Sequence, residues 1–461
     1  MVRNAPSQSL LRRLDRSEEP SMEKTESTIG NVSHGVGSSA IQRRSVVKGL
    51  GALAASAGLG GLSKAWAADK DTIRIGYISP VTGPFAPFAE ADNFTIDSVK
   101  EAVSSGLAIG GKHYNVEILA RDDQTSSDRA SNLAAQLITR DKVDLILAQG
   151  ALTVVNVAQQ CELNGVPCIT TMTPWQAWMF PLKGSPQKGF KFVHHFFWGI
   201  EDIGSVYLDI WRDLPTNKVV GTVWSNDVPG NAFGDPKLGL PAAFSAAGYR
   251  IVDVGRFQTG ADDFSTHIQA FKKEGVEIVT GLFNPPEWVT FWTQSEQMGF
   301  HPKIATVAKA LLFPGGVAAL GDRADGMSTE IWWTPGYPFK SSLTGQTAAQ
   351  VAEAYTAATN KVWTQPIGVV HALWELGIHA LKASSDPKNP QAVSAAIATT
   401  ATETVIGKID WASSPIKNVA KMRIVGGQWR LNPTTHKVEL FITNDSTAPE
   451  IPVQRKFEML S

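Results

Sequence analysis

T-I-R-I-G-Y-I-S-P-V-T-G-P-F-A-P-F, residues 72–88, is the stretch from which the architecture of the chain can be worked out. Its first seven residues are rich in β-branched and aromatic side chains and predict a β-strand. The following ten contain three prolines and two phenylalanines, which predicts a rigid loop at the carboxyl end of that strand. Ligands of open α/β sheets bind beyond the carboxyl ends of strands, so this loop is a candidate site.

The same alternation of a short β-branched run with a longer helical pattern continues through most of the chain. Helical patterns separate the runs, for example at 90–105 and at 126–140, where Ser126 is an N-cap candidate. The further predicted strands are 116–120, 143–148, 167–170, 190–193, 218–223, 251–255, 277–283 and 303–307. Such alternation predicts parallel sheets covered by helices on both faces.

This number of strands, in a chain of 461 residues, is too large for one such sheet and predicts two α/β lobes. Residues 192–200 have the pattern of a crossing from one lobe to the other. We therefore expect two doubly wound lobes joined by a multi-strand hinge. The first lobe is predicted to contain residues 71–195 and 331–400, and the second residues 196–330 and 401–461.

Residues 1–67 are predicted to be an N-terminal extension followed by an export signal. Arg43 and Arg44 precede a weakly hydrophobic, glycine-rich stretch at 46–62, and Ala65 and Ala67 suit cleavage after Ala67. This arrangement resembles a twin-arginine signal peptide. We expect a periplasmic mature protein without an anchor, because no cysteine for lipid attachment lies at the cleavage site.

Composition and motifs exclude several classes of protein. With 42 basic and 43 acidic residues, the net charge of −1 does not favour nucleic acid as a partner. Two cysteines, Cys161 and Cys168, are too few for an iron–sulfur cluster, and whether they form a disulfide stays open. The hydrolase elbow, zinc-protease and phosphate-loop motifs are absent. His194 and His195 are adjacent on a strand and point to opposite faces, so we expect no metal site and no cofactor.

The first loop, together with later turns, resembles the leucine/isoleucine/valine-binding protein family of ABC importers. The resemblance covers about residues 71–431 and rests on the loop 79–88, on Gly110-Gly111, on Asp122-Asp123 and on the Asn164–Pro167 turn. It implies a type I periplasmic binding fold of the Venus-flytrap kind, with two lobes joined by three crossovers. It also implies a monomeric receptor that delivers an amino acid or a related small molecule to an inner-membrane ABC permease.

Candidate ligand contacts follow from the resemblance and from the strand ends. Backbone N–H groups at a helix start after the third strand could bind a carboxylate, and Thr153 could add a hydroxyl or act only as the N-cap. Other positions match polar or aromatic contacts of the family, or follow a predicted strand. The complete set is Phe88, Ala151, Leu152, Thr153, Thr171, Thr173, Trp175, Trp198, Asp227, Phe233, Asn284 and Lys309.

The sequence departs from the family pattern in two ways. The family's acidic partner for a ligand ammonium should fall near Ala308 or Lys309, and neither is a carboxylate. The chain also has 14 tryptophans, and six of them lie near predicted strand ends: Trp175, Trp178, Trp198, Trp224, Trp288 and Trp292. The expected ligand is therefore an amino acid-like or an aromatic or apolar carboxylate, or an amide, and a zwitterionic α-amino acid is disfavoured. A ligand-sensing regulator or receptor of the same fold, and an exported enzyme, are the alternatives.

Overall fold

The computed structural model describes residues 71–460, which contain sixteen strands in two large sheets and one small one. The strands are β1 (Thr72–Ser79), β2 (Leu107–Ile109), β3 (Lys112–Asp122), β4 (Leu145–Gln149), β5 (Cys168–Thr171), β6 (Val193–Phe196), β7 (Val219–Ser225), β8 (Arg250–Phe257), β9 (Ile278–Leu282), β10 (Ile304–Ala308), β11 (Ser328–Ile331), β12 (Ala401–Thr404), β13 (Gly407–Asp410), β14 (Val419–Ala420), β15 (Val425–Asn432) and β16 (Lys437–Asn444).

Thirteen α-helices alternate with these strands in the described residues. They are α1 (Asp92–Ala102), α2 (Ser127–Thr139), α3 (Val154–Asn164), α4 (Trp175–Met179), α5 (Ile200–Trp211), α6 (Val228–Phe233), α7 (Leu240–Ala246), α8 (Ser265–Glu274), α9 (Pro285–Gln297), α10 (Pro314–Ala318), α11 (Ala348–Thr359), α12 (Pro366–Ala383) and α13 (Pro390–Ala398). None of the helices within 71–460 has the length and hydropathy needed to cross a bilayer.

Each large sheet has a parallel centre. The first has the strand order β14-β6-β5-β4-β1-β3-β2, in which only β2 is antiparallel to its neighbour. The second has the order β16-β15-β11-β10-β9-β7-β8, in which β15 and β16 add antiparallel strands at one edge. The chain therefore forms two separate α/β sheets, each with parallel central strands. The expected pair of doubly wound lobes is confirmed.

The chain crosses three times between the two sheets. It leaves the first sheet after β6, returns after β11 to form α12 against β4 and β5, and crosses again between β14 and β15. In α12, a Cβ on Gly377 would lie 2.9 Å from Leu147 Cδ1, so glycine allows the close approach of helix and sheet.

Two details differ from the lobe boundaries and strand positions predicted from the sequence. β14 pairs with β6 in the first sheet, although 401–461 was assigned to the second lobe. The side-chain amide of Asn418 donates to the Val193 carbonyl at 3.0 Å, which holds this segment on the first sheet. The run 190–193 becomes a strand only from Val193, because the Glu162 carboxylate accepts the N–H groups of Lys191 and Phe192.

Candidate ligand-binding site between the lobes

Five aromatic side chains from both lobes and two crossings meet in one place, which we call the interlobe aromatic cluster: Phe88, Trp198, Phe233, Phe313 and Trp332. The Phe88 ring of the first lobe lies 4.9 Å from Phe313 of the second lobe and nearly perpendicular to it. Trp332 lies 5.7 Å from Trp198, which itself lies 6.2 Å from Phe233. All five are buried, so the two lobes contact each other through aromatic surface.

Lys309 brings a positive charge to the edge of this cluster. It follows β10 directly, and its Nζ lies 4.5 Å from the centre of the Phe85 ring on the first lobe. Its φ of +65° is in the left-handed region that side-chain-bearing residues rarely adopt. Burial lowers the pKa of Lys309, while the carboxylates of Asp227 and Glu287 act in the opposite direction. Among residues 71–460 it has no carboxylate within ion-pair distance.

The two tryptophans at the crossings carry donors that are not used. Within the described chain, the buried indole N–H groups of Trp198 and Trp332 have no hydrogen-bond partner. Leaving a buried donor unpaired costs about 1–3 kcal/mol. Together with Lys309, these groups give the cluster three unpaired donors, which suit a ligand that offers acceptors.

The predicted helix start after β4 lies beside the cluster. α3 begins at Val154 with Thr153 at the N-cap position, but the Thr153 side chain does not cap the helix. Its buried hydroxyl has no hydrogen-bond partner of normal geometry in the described residues, although Asp123 is a polar neighbour; burial raises the pKa of Asp123, and Thr153 partly offsets this. The Gln149 side-chain amide contacts the Phe88 carbonyl at 3.5 Å, which connects this loop to the aromatic cluster. Ala151 and Leu152 are half-buried in the same loop.

Other predicted contacts are already engaged in local hydrogen bonds. The Thr171 hydroxyl donates to the Phe196 carbonyl at 2.7 Å, and the Thr173 carbonyl accepts from His195 at 2.8 Å. The indole N–H of Trp175 donates to Glu201 at 2.9 Å. These bonds fix the strand ends and the first crossing, and a direct ligand contact by these residues stays a prediction.

Asp227 and Asn284 occupy the N-cap positions of α6 and α9. Asp227 accepts from the Gly230 N–H at 2.7 Å and from the Ser225 hydroxyl at 2.8 Å. Asn284 donates to Glu287 at 3.2 Å, and Glu287 also accepts the Asn284 backbone N–H at 2.8 Å. Both side chains therefore stabilise helix starts at the carboxyl ends of their strands.

A buried polar network supports the first-lobe side of the cluster. The Tyr77 hydroxyl donates to Asp92 at 2.8 Å, and the Gln149 amide donates to the same oxygen at 3.2 Å. Burial raises the pKa of Asp92 to about 7, so the carboxyl is partly protonated at neutral pH.

Sequence reasoning missed Asp92, and it also missed Phe313 and Trp332. The only local signal for Trp332 was its position after a strand, S-T-E-I (328–331).

The two cysteines and the histidine pair have structural surroundings. Cys161 and Cys168 are both buried and free. His195 lies between Thr170 and Thr173, hydrogen-bonded to both, and stacks 4.9 Å from Trp178. Burial lowers the pKa of His195 to about 3, so the ring is neutral at ordinary pH.

Two α/β lobes with three crossings and a cluster of aromatic side chains between them are typical of two-lobed binding proteins. A family model described as periplasmic binding protein matches residues 72–429. The chain belongs to this family of extracytoplasmic solute-binding proteins, which are not enzymes.

Solved structures share the fold at low sequence identity. A branched-chain amino acid transporter substrate binding protein of Streptococcus pneumoniae, in complex with isoleucine, is 17% identical with a TM-score of 0.63, over 81% of this chain and 99% of that chain. An ABC transporter solute binding protein of Rhodopseudomonas palustris BisB5, in complex with 3,4-dihydroxybenzoic acid, is 18% identical with a TM-score of 0.63, over 82% and 99%. A second solute binding protein of R. palustris, in complex with benzoate, is 16% identical with a TM-score of 0.61, over 82% and 98%.

Proposed function

We propose that this chain is the periplasmic substrate-binding subunit of an ABC importer and that it binds an aromatic or apolar carboxylate, or an amide, between its lobes. The observation that carries the ligand class is the set of unpaired donors at the interlobe aromatic cluster: the indole N–H groups of Trp198 and Trp332 and the ammonium of Lys309. A ligand with acceptor oxygens and a planar body satisfies these donors and packs against the rings.

Three carboxylates near the cluster, those of Asp227, Glu287 and Asp92, are each already engaged by hydrogen-bond donors of the chain. Asp227 accepts a backbone N–H at the start of α6, and Glu287 accepts two backbone N–H groups, one of them at the start of α9. Asp92 accepts from Tyr77 and Gln149, and its raised pKa leaves it partly neutral near pH 7. A ligand ammonium would compete with these donors, and the Asp92 oxygen that has no partner in the described residues belongs to a partly protonated carboxyl, so we expect leucine or valine to be a weaker ligand.

The neighbouring structures are compatible with this choice. The fold holds isoleucine in one of them and aromatic acids in two others. Because their sequence identity to this chain is low, these structures do not identify its ligand. The argument rests on the residues of this chain, and the aromatic cluster with Lys309 favours the aromatic acids.

Calorimetric titration and thermal shift with benzoate, 4-hydroxybenzoate, benzamide, leucine and valine test the proposal. We expect the aromatic acids to raise the melting temperature most, because a ligand that binds only the native state stabilises it by mass action. Lys309→Gln should weaken binding of the carboxylates by roughly tenfold or more, the value of a charge-assisted hydrogen bond, and weaken benzamide much less.

Lys218→Gln is the matched control. Lys218 also has a left-handed backbone, with φ of +58°, and its Nζ lies 5.6 Å from the centre of the Tyr249 ring. Because it precedes β7, at the opposite end of the strands from Lys309, its loss should leave binding unchanged. Stabilisation by leucine or valine alone would contradict the proposed ligand class.

Export through the twin-arginine route is part of the proposal, and its signal lies outside the described residues. Arg43→Lys combined with Arg44→Lys keeps the charge but removes the arginine pair that the export receptor recognises. We expect this variant to remain in the cytoplasm, as shown by cell fractionation. Normal periplasmic accumulation would show that the pair does not direct export.

A further inference from the structure

A cavity of about 570 Å³ lies on the first lobe, and none of its lining residues belongs to the interlobe aromatic cluster. Its walls are the loop after α4, one side of α13 and the loop between β13 and β14. The lining residues are Pro186, Gln187, Phe190, Lys191, Phe192, His194, Gln391, Ser394, Ala395, Ala398, Trp411, Ala412, Ser414, Pro415, Lys417 and Asn418. This volume is within the range of cavities that bind small molecules, roughly 300–1,000 Å³.

The lining combines flat apolar surface with positive charge. Phe190, Phe192 and Trp411 supply rings, and small side chains of α13 leave room beside them. Lys191 and Lys417 line the same cavity and are exposed, and neither has an ion-pair partner within residues 71–460. No acidic residue of the described chain is among the lining residues. The cavity therefore favours an anion with an apolar body.

Hydrogen bonds between distant parts of the chain hold the walls in place. The Lys417 N–H donates to the Pro186 carbonyl at 2.8 Å, and the Phe190 N–H donates to the Asn418 side chain at 2.8 Å. On the opposite wall, the Ser394 hydroxyl donates to the Lys191 carbonyl at 2.6 Å. These bonds fix the backbone of the segments that carry both lysines, so both lysines belong to the ordered wall of one cavity.

The wall also contains a buried imidazole with an unused nitrogen. His194 is 1% exposed, and in the described residues its Nδ1 has no hydrogen-bond partner of normal geometry, although the Phe192 carbonyl is a polar neighbour. The ring lies 6.2 Å from Trp411 and nearly perpendicular to it. Burial lowers the pKa of His194 to about 3, so it is neutral at ordinary pH and adds a hydrogen-bonding group without charge.

We infer that this cavity is a second binding site, independent of the interlobe site, for a small aromatic carboxylate. The rings of Phe192 and Trp411 contact the planar body of the ligand, and Lys191 and Lys417 pair with its carboxylate. The site is complete within the first lobe, so it does not require the lobes to close.

Calorimetric titration with 2-naphthoate, a two-ring aromatic carboxylate, tests this inference. We expect binding at the cavity to persist in Trp198→Ala, which disrupts the interlobe site. Lys191→Gln combined with Lys417→Gln should weaken it roughly tenfold, as expected for two exposed charge contacts, and added salt should weaken it in the unmodified protein. Lys183→Gln combined with Lys188→Gln is the control, because these exposed lysines lie in the same loop but do not line the cavity.

A variant that fills the cavity distinguishes ligand binding inside the cavity from nonspecific attraction of anions by positive charge. Ala395 is exposed on α13 and lines the cavity, so Ala395→Trp should fold normally and abolish binding while both lysines remain. Equal 2-naphthoate binding by the unmodified protein, the lysine pair variant and Ala395→Trp would overturn the inference. If Trp198→Ala abolished all 2-naphthoate binding, the inference would also be overturned, because all binding by the unmodified protein would then take place at the interlobe site. If the unmodified protein binds 2-naphthoate at the cavity but binds no ligand at the interlobe site, only the proposed function is contradicted.

Discussion

The interlobe aromatic cluster differs from a polar cluster that lies next to it at the crossings. We call the latter the hinge polar cluster: Trp175, Gln176, Glu201, Asp202 and Lys421. Lys421, in the third crossing, lies 2.9 Å from Glu201 and 2.6 Å from Asp202, both at the start of α5 in the first crossing. Burial disfavours the ammonium of Lys421, but the two carboxylates raise its pKa.

The two clusters differ in whether their hydrogen-bonding groups have partners. In the hinge polar cluster, the Trp175 indole, the Gln176 amide and the Lys421 ammonium all have partners on Glu201 or Asp202. In the aromatic cluster, two indole N–H groups have none within 71–460. Satisfied polar groups fix the relative position of crossings, whereas the unpaired donors of the aromatic cluster are those that the proposed ligand would engage; core indoles such as those of Trp178 and Trp224 are also unpaired within the described residues. We therefore expect the hinge polar cluster to position the proposed site and the aromatic cluster to form it.

The largest expected effect comes from removing a ring of the aromatic cluster. Trp332→Ala should lower the free energy of unfolding by about 3–5 kcal/mol, because it leaves a cavity at contacts with Phe88 and Trp198. Trp332→Phe keeps an aromatic ring and should cost much less. Urea denaturation of both variants measures the difference. A loss below about 1 kcal/mol in Trp332→Ala would mean that the rings are not packed together in solution.

The next largest effect comes from breaking the hinge polar cluster. Lys421→Gln leaves the carboxylates of Glu201 and Asp202 without their cation. We expect a loss of about 2 kcal/mol, below the value for a fully buried pair because about a third of the Lys421 side chain is exposed. Lys408→Gln, which breaks an exposed pair with Asp410, is the control and should cost less than about 1 kcal/mol. Equal effects of the two variants would remove the distinction between the clusters.

A smaller effect should appear in the pH dependence of stability. Asp92 has a folded-state pKa raised to about 7, above its usual 3.8, so the folded state holds the proton more tightly than the unfolded state. Its contribution is fully present below about pH 4 and is lost as the pH rises through 7. Asp92→Asn keeps an acceptor for Tyr77 and should flatten the decrease in unfolding free energy between pH 5 and 8. The pKa values of Glu330 and Glu375 are raised in the same direction, so a smaller decrease of unfolding free energy with pH should remain in Asp92→Asn. An unchanged slope in Asp92→Asn would show that the carboxyl is ionised throughout.

Sequence periodicity predicted the fold because each strand is specified by its own residues. The run 303–307, for example, is β10 at Ile304–Ala308. A strand of two residues such as β14 has too little periodicity to be recognised, so the extension of the first sheet beyond residue 400 was missed.

The aromatic cluster was only partly predictable for a different reason. Phe88 and Lys309 follow strands whose carboxyl ends could be predicted, and the structure places both at the junction of the lobes. Phe313 and Trp332 join them through the path of the crossings and the contact between lobes, which no local pattern specifies. Of the tryptophans near predicted strand ends, Trp178, Trp224 and Trp288 proved to be fully buried core residues.

The smallest expected effect distinguishes Trp175 from Trp198. Trp175→Phe removes the indole that donates to Glu201, so it should cost about 1 kcal/mol of unfolding free energy, the value of one hydrogen bond. Because Trp175 belongs to the hinge polar cluster, benzoate affinity should change by less than about twofold. Trp198→Phe removes an unpaired donor instead, and should lower benzoate affinity with little effect on stability. Calorimetry and urea denaturation of the two variants measure both quantities. If Trp175→Phe weakens benzoate binding as much as Trp198→Phe does, the Trp175 indole changes its partner when the ligand binds, and the two clusters form a single site.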